Sequence, residues 1–256
     1  SPAFPFKIHL RLTATNRPVK ITLVWSDYPA TPGTDRHLVN DLDLRVRTPG
    51  VEWKGNRWVQ GQSAPGGDYD RLNNVEQVVW RPLAPGLVEV SVWAHRIVVG
   101  PQDFSLVATG DFEVISPGDD TDADGLPDVW EEWHWGTLTG SPEDDPDGDG
   151  ASNATEFAAN THPVDPHSVT RLEIGRRESG ELVLSLSVQE ARQYTLEHAV
   201  GGSPQGPWTL IGAPVLIGEP VTRRTLEFAP LVPAPGTGLE PGFYRVRMEG
   251  PSRAEF

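Results

Sequence analysis

Two stretches of this chain carry acidic side chains at a spacing that suits a hard cation, Asp120 to Glu131 (DTDADGLPDVWE) and, 25 positions on, Asp145 to Glu156 (DPDGDGASNATE). On a twelve-position calcium-loop template, the first places Asp120, Asp122 and Asp124 at positions 1, 3 and 5, Asp128 at 9 and Glu131 at 12. The second places Asp145, Asp147, Asp149, Asn153 and Glu156 in the same order. Gly125 and Gly150 fall at position 6, where the backbone must bend sharply, and Leu126 and Ala151 at position 7 offer main-chain carbonyls. Calcium takes six to eight oxygens at roughly 2.3–2.6 Å, and alternate inward carboxylates closed by a terminal glutamate supply them. Two calcium ions are therefore expected. The competing reading, a solvated acidic linker, needs neither the fixed glycine nor the glutamate.

Charge is distributed accordingly. Residues 119–165 hold 14 of the 36 acids and none of the 21 bases, leaving 22 acids against 21 bases elsewhere. The net charge of −15 thus reports a local cation-binding segment rather than an acidic surface. No basic stripe suits nucleic acid, and no apolar run suits a membrane span. The absence of cysteine, with calcium loops of this kind, points to an extracellular setting, and any export signal is expected to precede this stretch.

The elements that position these loops are mostly strands. From Phe6 to about Val114, runs such as KIHLRLTA, VKITLVW, DLDLRVR, VEQVVW, LVEVSVWA and FSLVATG alternate apolar and polar residues between turn-forming clusters. The prediction is mainly β: a jelly-roll-like β-sandwich over 1–116, a short calcium-binding loop-helix module over 117–167 and a second small β-sandwich over 168–256. Strict alternation in Leu87–Trp93 puts Glu89 and Ser91 in water. Ala84-Pro85-Gly86 and Gly100-Pro101 read as hairpin turns. Trp25, Trp80 and Trp93 belong to the first core. Helices are expected over 128–135 and 153–160, with no helix ahead of the first loop, unlike an EF-hand. Trp130, Trp133 and Trp135 would cover the metal module. In the last domain Tyr194, Leu196, Trp208, Phe228, Tyr244 and Val246 are core candidates, and LVPAPGTGLEPG is a surface loop.

Several motifs carry a resemblance. The "VWSDYPA" strand end from Val24, the "LVNDLDL" strand from Leu38 and "NNVE" from Asn73 closely resemble the β-barrel domain that follows the catalytic domain in large bacterial subtilisin-like serine proteases, over roughly residues 6–110. The central segment resembles thrombospondin type 3 and dockerin-like calcium repeats of secreted proteins, THPVDPHS being similar to the element that closes them. Glu131 and Glu156 stand where dockerins carry Asp or Asn, a departure that argues against cohesin binding. The resemblance implies a non-catalytic accessory region, a catalytic protease domain in cis, a secreted bacterial setting and a monomer. No Gly-Thr-Ser nucleophile stretch or triad partner accompanies it, and Gly61-Gln62-Ser63-Ala64-Pro65 lacks the second glycine of a nucleophile elbow.

Two further site readings follow. Asp27, Asp41, Asp43, Asn73, Asn74 and Glu76 lie at the resemblance motifs and offer oxygens for a third cation, although alternate Asp on a strand also suits a solvated face. Trp53 and Trp58, in VEWKGNRW, are the candidates for stacking on a sugar. They support the rival reading, an extracellular module that binds cell-surface polysaccharide or protein.

Overall fold

The computed structural model describes residues 5–34 and 37–176 and, beyond these, strands 182–188, 192–200, 209–217, 224–228 and 242–249. The chain is mainly β and splits into two compact units, one running to Thr139 and the other from Gly140 to Pro251. That boundary falls between the two acidic loops, so each loop belongs with its own unit.

In the first unit nine strands form two antiparallel sheets. They are β1 (Phe6–Leu12), β2 (Val19–Trp25), β3 (Asp41–Thr48), β4 (Val51–Val59), β5 (Gln62–Pro65), β6 (Val75–Trp80), β7 (Gly86–Arg96), β8 (Phe104–Thr109) and β9 (Phe112–Ile115). The larger sheet runs β5-β4-β3-β7-β1-β9 and the smaller β6-β2-β8. Register explains the core: Leu44 and Val46 stand opposite Val92 and Val90, and Ile8 and Leu10 opposite Val90 and Val88. All of these fall on one pleat face. They pack against Val19, Ile21, Leu23, Trp25, Val78 and Trp80 of the smaller sheet, so the pair forms a β-sandwich with one apolar centre. Trp25 and Trp80 are buried in that centre, as the sequence predicts, whereas Trp93 is buried on the opposite face of the larger sheet, its indole N–H donating to the Ser91 hydroxyl.

The opposite face of the larger sheet corrects the alternation argument. Glu89 and Ser91 are buried, at 6% and 0% exposure, because this face is also covered. Glu89 accepts from the Arg47 guanidinium at 2.7 and 2.9 Å, and Lys7 Nζ lies 3.3 Å from it. Arg45, itself 2% exposed, lies 3.7 Å from Glu89 and stacks over the Trp93 ring at 4.9 Å. Burial alone would raise the Glu89 carboxyl, but Lys7, Arg47, the His9 bond and Arg45 hold it well below the usual carboxylate range.

The turn expectations change as well. Residues 81–85 join β6 to β7, and 97–103 join β7 to β8, strands that lie in different sheets. These Pro/Gly clusters therefore carry the chain from one sheet to the other instead of closing hairpins. A breaker cluster ends a strand, but it does not choose the next partner.

After β9, helix α1 (Asp128–Trp135) and helix α2 (Asn153–Ala159) have the predicted positions, and no helix precedes the first loop. α1 docks on its own unit: Val129 packs with Leu87 and Ile115, Trp133 joins them, and Arg47 stacks over the Trp133 ring at 5.6 Å. Arg11 of β1 donates to Glu132 of α1 at 2.5 Å. Beyond α2 in the second unit, β10 (Leu172–Arg176), β11 (Leu182–Val188) and β14 (Arg224–Phe228) form one antiparallel sheet. β12 (Arg192–Val200), β13 (Thr209–Ile217) and β15 (Gly242–Glu249) form another. Tyr194 is fully buried. The side chains of Leu196, Phe228, Tyr244 and Val246, together with Trp208 and residues 231–241, lie outside the described residues.

Candidate metal centre

Each acidic loop gathers three carboxylates. One oxygen from each of Asp120, Asp122 and Asp124, and likewise from Asp145, Asp147 and Asp149, lies within 4.8 Å of the other two, which is the reach of one cation. The two loops share a backbone design. Gly125 N–H donates to Asp120 Oδ2 at 3.1 Å, and Gly150 N–H to Asp145 Oδ2 at 3.0 Å. Leu126 N–H donates to Asp124 and Ala151 N–H to Asp149, both at 2.8 Å. Asp128 N–H closes onto the Asp119 carbonyl and Asn153 N–H onto that of Asp144, again both at 2.8 Å. Gly125 and Gly150 take φ of 102° and 94°, a bend that favours glycine.

The position-12 glutamates are both fully buried, Glu131 at 0% and Glu156 at 0% exposure. Neither Glu156 oxygen accepts a hydrogen bond in the described structure, and the nearby Thr161 hydroxyl donates instead to the Glu156 main-chain carbonyl at 3.5 Å. Burial, reinforced by the charges of Asp147 and Asp149, pushes the Glu156 carboxyl up to about 7. A buried carboxylate costs free energy unless a cation or donors compensate it. This donor set, all oxygen and strongly anionic, suits calcium or magnesium far better than a thiolate-seeking or imidazole-seeking metal.

Position 9 behaves differently. The Asp128 carboxylate takes the Thr121 N–H at 2.7 Å and the Thr121 hydroxyl, fastening its own loop. Asn153 Nδ2 donates to the Ser141 carbonyl at 2.7 Å. Both serve as loop fasteners, and a ninth position that acts through water, a common arrangement, is compatible with that. Loop position 4 also differs, Ala123 in one loop and Gly148 in the other, with φ of 60° and 75°. A left-handed alanine costs about 1–2 kcal/mol, and glycine forfeits about 0.5–1 kcal/mol in the unfolded chain. Ala123→Gly should therefore stabilise the first unit by about 0.5 kcal/mol, measured as a shift in its denaturant midpoint. A shift of opposite sign would mean that the bend at Ala123 is unstrained.

The six residues of the third-cation expectation each have protein partners, and Glu76 also keeps one buried oxygen, Oε1, without a hydrogen bond. Asp27 accepts the N–H groups of Tyr28, Val39 and Asn40 at 2.8–2.9 Å, closing the loop it begins. Asp41 and Asp43 are buried against Arg71, whose guanidinium bonds both. Glu76 accepts the Leu44 N–H at 2.7 Å. Burial, added to the charges of Asp43, Asp70 and Asp41, lifts the Glu76 carboxyl to about 9 despite that bond. Asn73 Nδ2 donates to Asp70 and Asn74 Nδ2 to the Trp25 carbonyl. Among the described residues, only the two aspartate triplets converge for a metal.

The aromatic pair also divides. Trp53 is 8% exposed and stacks on Trp80 with ring centroids 5.1 Å apart, so it belongs to the core and offers no face to a sugar. Trp58 is 45% exposed and lines a polar cleft of about 580 Å³ with Asn56, Asp68, Asp70, Asn73 and Asn74. Asp68, Asp70 and Asn56 were not legible as a group, since their meeting depends on β4 leaving β3 near Gly55. Ser63 sits in β5, its hydroxyl accepting the Val79 N–H at 2.9 Å.

The chain matches no described protein family. Over 96 residues it is 33% identical to the serine protease/ABC transporter B family protein tagB of Dictyostelium discoideum. The match covers 35% of this chain and 5% of that relative, so the chain corresponds to a small part of a protein whose description includes a serine protease. No described helix is long and apolar enough to cross a membrane.

Proposed function

We propose that this chain is a calcium-stabilised accessory region of a secreted serine protease, with no catalytic role of its own. The carrying observation is Glu156, a fully buried carboxylate with two unbonded oxygens set beside three converging aspartates. That arrangement is poorly compensated without a cation and well compensated with one. The first domain (1–116) would pack beside a catalytic protease domain in cis. The segment 117–167 would hold one calcium in each loop, and the domain 168–256 would serve attachment or targeting. The similarity to a protease-containing relative supports the parentage, and calcium loops of this kind suit an extracellular setting. The binding role at a cell-surface polysaccharide or protein is a second reading, favoured by the exposed Trp58 cleft.

Ligand that binds only the folded state stabilises it by mass action, by about 4 kcal/mol at 1,000 times the dissociation constant. Metal analysis of the purified chain should find two calcium ions. Excess chelator should lower the melting temperature by several degrees, and returning calcium should restore it. An unchanged melt with no bound metal would reduce the acidic segments to linkers and overturn the calcium reading.

A further inference from the structure

We propose that the cleft beside Trp58 is a saccharide-binding subsite, one that recognises a neutral sugar by its hydroxyls and by one ring face. The proposal does not rest on the calcium reading, since none of its residues lies in either loop. About 580 Å³ is room for one or two sugar rings.

The cleft is rich in acceptors that the fold holds in place. Asp70 Oδ2 accepts from Asn56 Nδ2 at 2.6 Å and Asn73 Nδ2 at 2.7 Å, and Oδ1 accepts the Leu72 N–H at 2.8 Å. The Asn73 N–H adds a fourth bond, about the full capacity of a carboxylate, so Asp70 serves to fix Asn56 and Asn73 in the cleft wall. Burial would raise the Asp70 carboxyl, but these bonds bring it below its ordinary value, which keeps it an acceptor at neutral pH. Asn73 and Asn74 each commit their amide nitrogen, to Asp70 and to the Trp25 carbonyl, leaving their amide oxygens for a hydroxyl. Asp68, exposed, adds another carboxylate. Arg57, in the same lining, adds guanidinium donors, so the wall offers both acceptors and donors, and a sugar hydroxyl, which donates and accepts, fits that mixed set.

Two further observations separate a sugar from a bare cation. Trp58 keeps 45% of its surface in water at the cleft edge, where an indole face matches the apolar C–H face of a pyranose. Asn56, inside β4, takes φ of 61°, a left-handed conformation that a strand does not need. Its side chain spans the cleft wall, donating to Asp70 and to the Val75 carbonyl and accepting the Gln77 N–H. Backbone strain that places a side chain in this way concentrates at binding sites.

The test titrates the full chain, in calcium, with chitohexaose, cellohexaose, xylohexaose and mannohexaose, read by calorimetry and tryptophan fluorescence. At least one should bind with a dissociation constant below roughly 1 mM. Trp58→Ala should weaken it roughly ten-fold or more, Trp58→Phe should recover part of the loss, and Asp68→Ala should weaken it several-fold, all with an unchanged melting temperature. Binding by none of the four, binding unaffected by Trp58→Ala, or a cleft that answers calcium but no sugar would each overturn the proposal. None of these outcomes bears on the chelator melt, so the two readings fail separately.

Discussion

Glu156→Gln should change the stability of the second unit in opposite directions with and without calcium. In chelator the wild-type loop buries a carboxylate beside Asp145, Asp147 and Asp149 with no hydrogen bond to either oxygen. The amide has the same shape, carries no charge and can donate to those aspartates, so the calcium-free variant should melt higher than the wild type. In calcium the order reverses, because the variant lacks the anionic oxygens that close the shell and loses the mass-action term of about 4 kcal/mol at 1,000 times the dissociation constant. Metal analysis should find one ion fewer, and Glu131→Gln should remove the other from the first unit. The crossing of the two melting orders is the decisive reading. A structural glutamate would shift both melts the same way, and that result would remove Glu156 from the metal site.

The loops were legible because their information is local. Spacing within twelve residues fixes which carboxylates meet, and the glycine bends at Gly125 and Gly150 follow from the same short window. Both helices were legible for a similar reason: α1 spans Asp128–Trp135 and α2 Asn153–Ala159, each starting inside its loop. Ser152 caps α2 by accepting the Thr155 N–H. What was not legible depends on partners far along the chain. Trp53 looked like a loop aromatic, but pairing of Val46 with Trp53 places it over the core, beside Trp80. Asp41 and Asp43 suited either a cation or a solvated face, but β3 lies inside a six-stranded sheet whose outer face is covered in part by Arg71. Alternation says which residues share a face, and it does not say whether that face is dry.

Glu89→Ala should be the most damaging single change in the first unit, costing about 3–5 kcal/mol. The reason is the company it leaves. Lys7, Arg45 and Arg47 converge on this one carboxylate across β1, β7 and β3, and Arg45 is 2% exposed, so removing the anion strands buried positive charge. Replacing the whole group with apolar residues of like volume would cost far less, since the loss comes from breaking the network rather than from lacking it. The pH profile separates this from simple loss of packing. The Glu89 carboxyl is held well below its ordinary value of 4.5, so its contribution is fully present above that value and disappears as pH falls through the lower folded value. The gap between wild type and Glu89→Ala in urea midpoints should therefore be constant from pH 6 to pH 8 and close only in strong acid. A packing defect alone would leave a gap that acid does not close, and Glu89→Gln, which keeps the volume, would then be harmless. The charge account requires the opposite: Glu89→Gln should lose most of what Glu89→Ala loses, because a neutral amide cannot balance three cations.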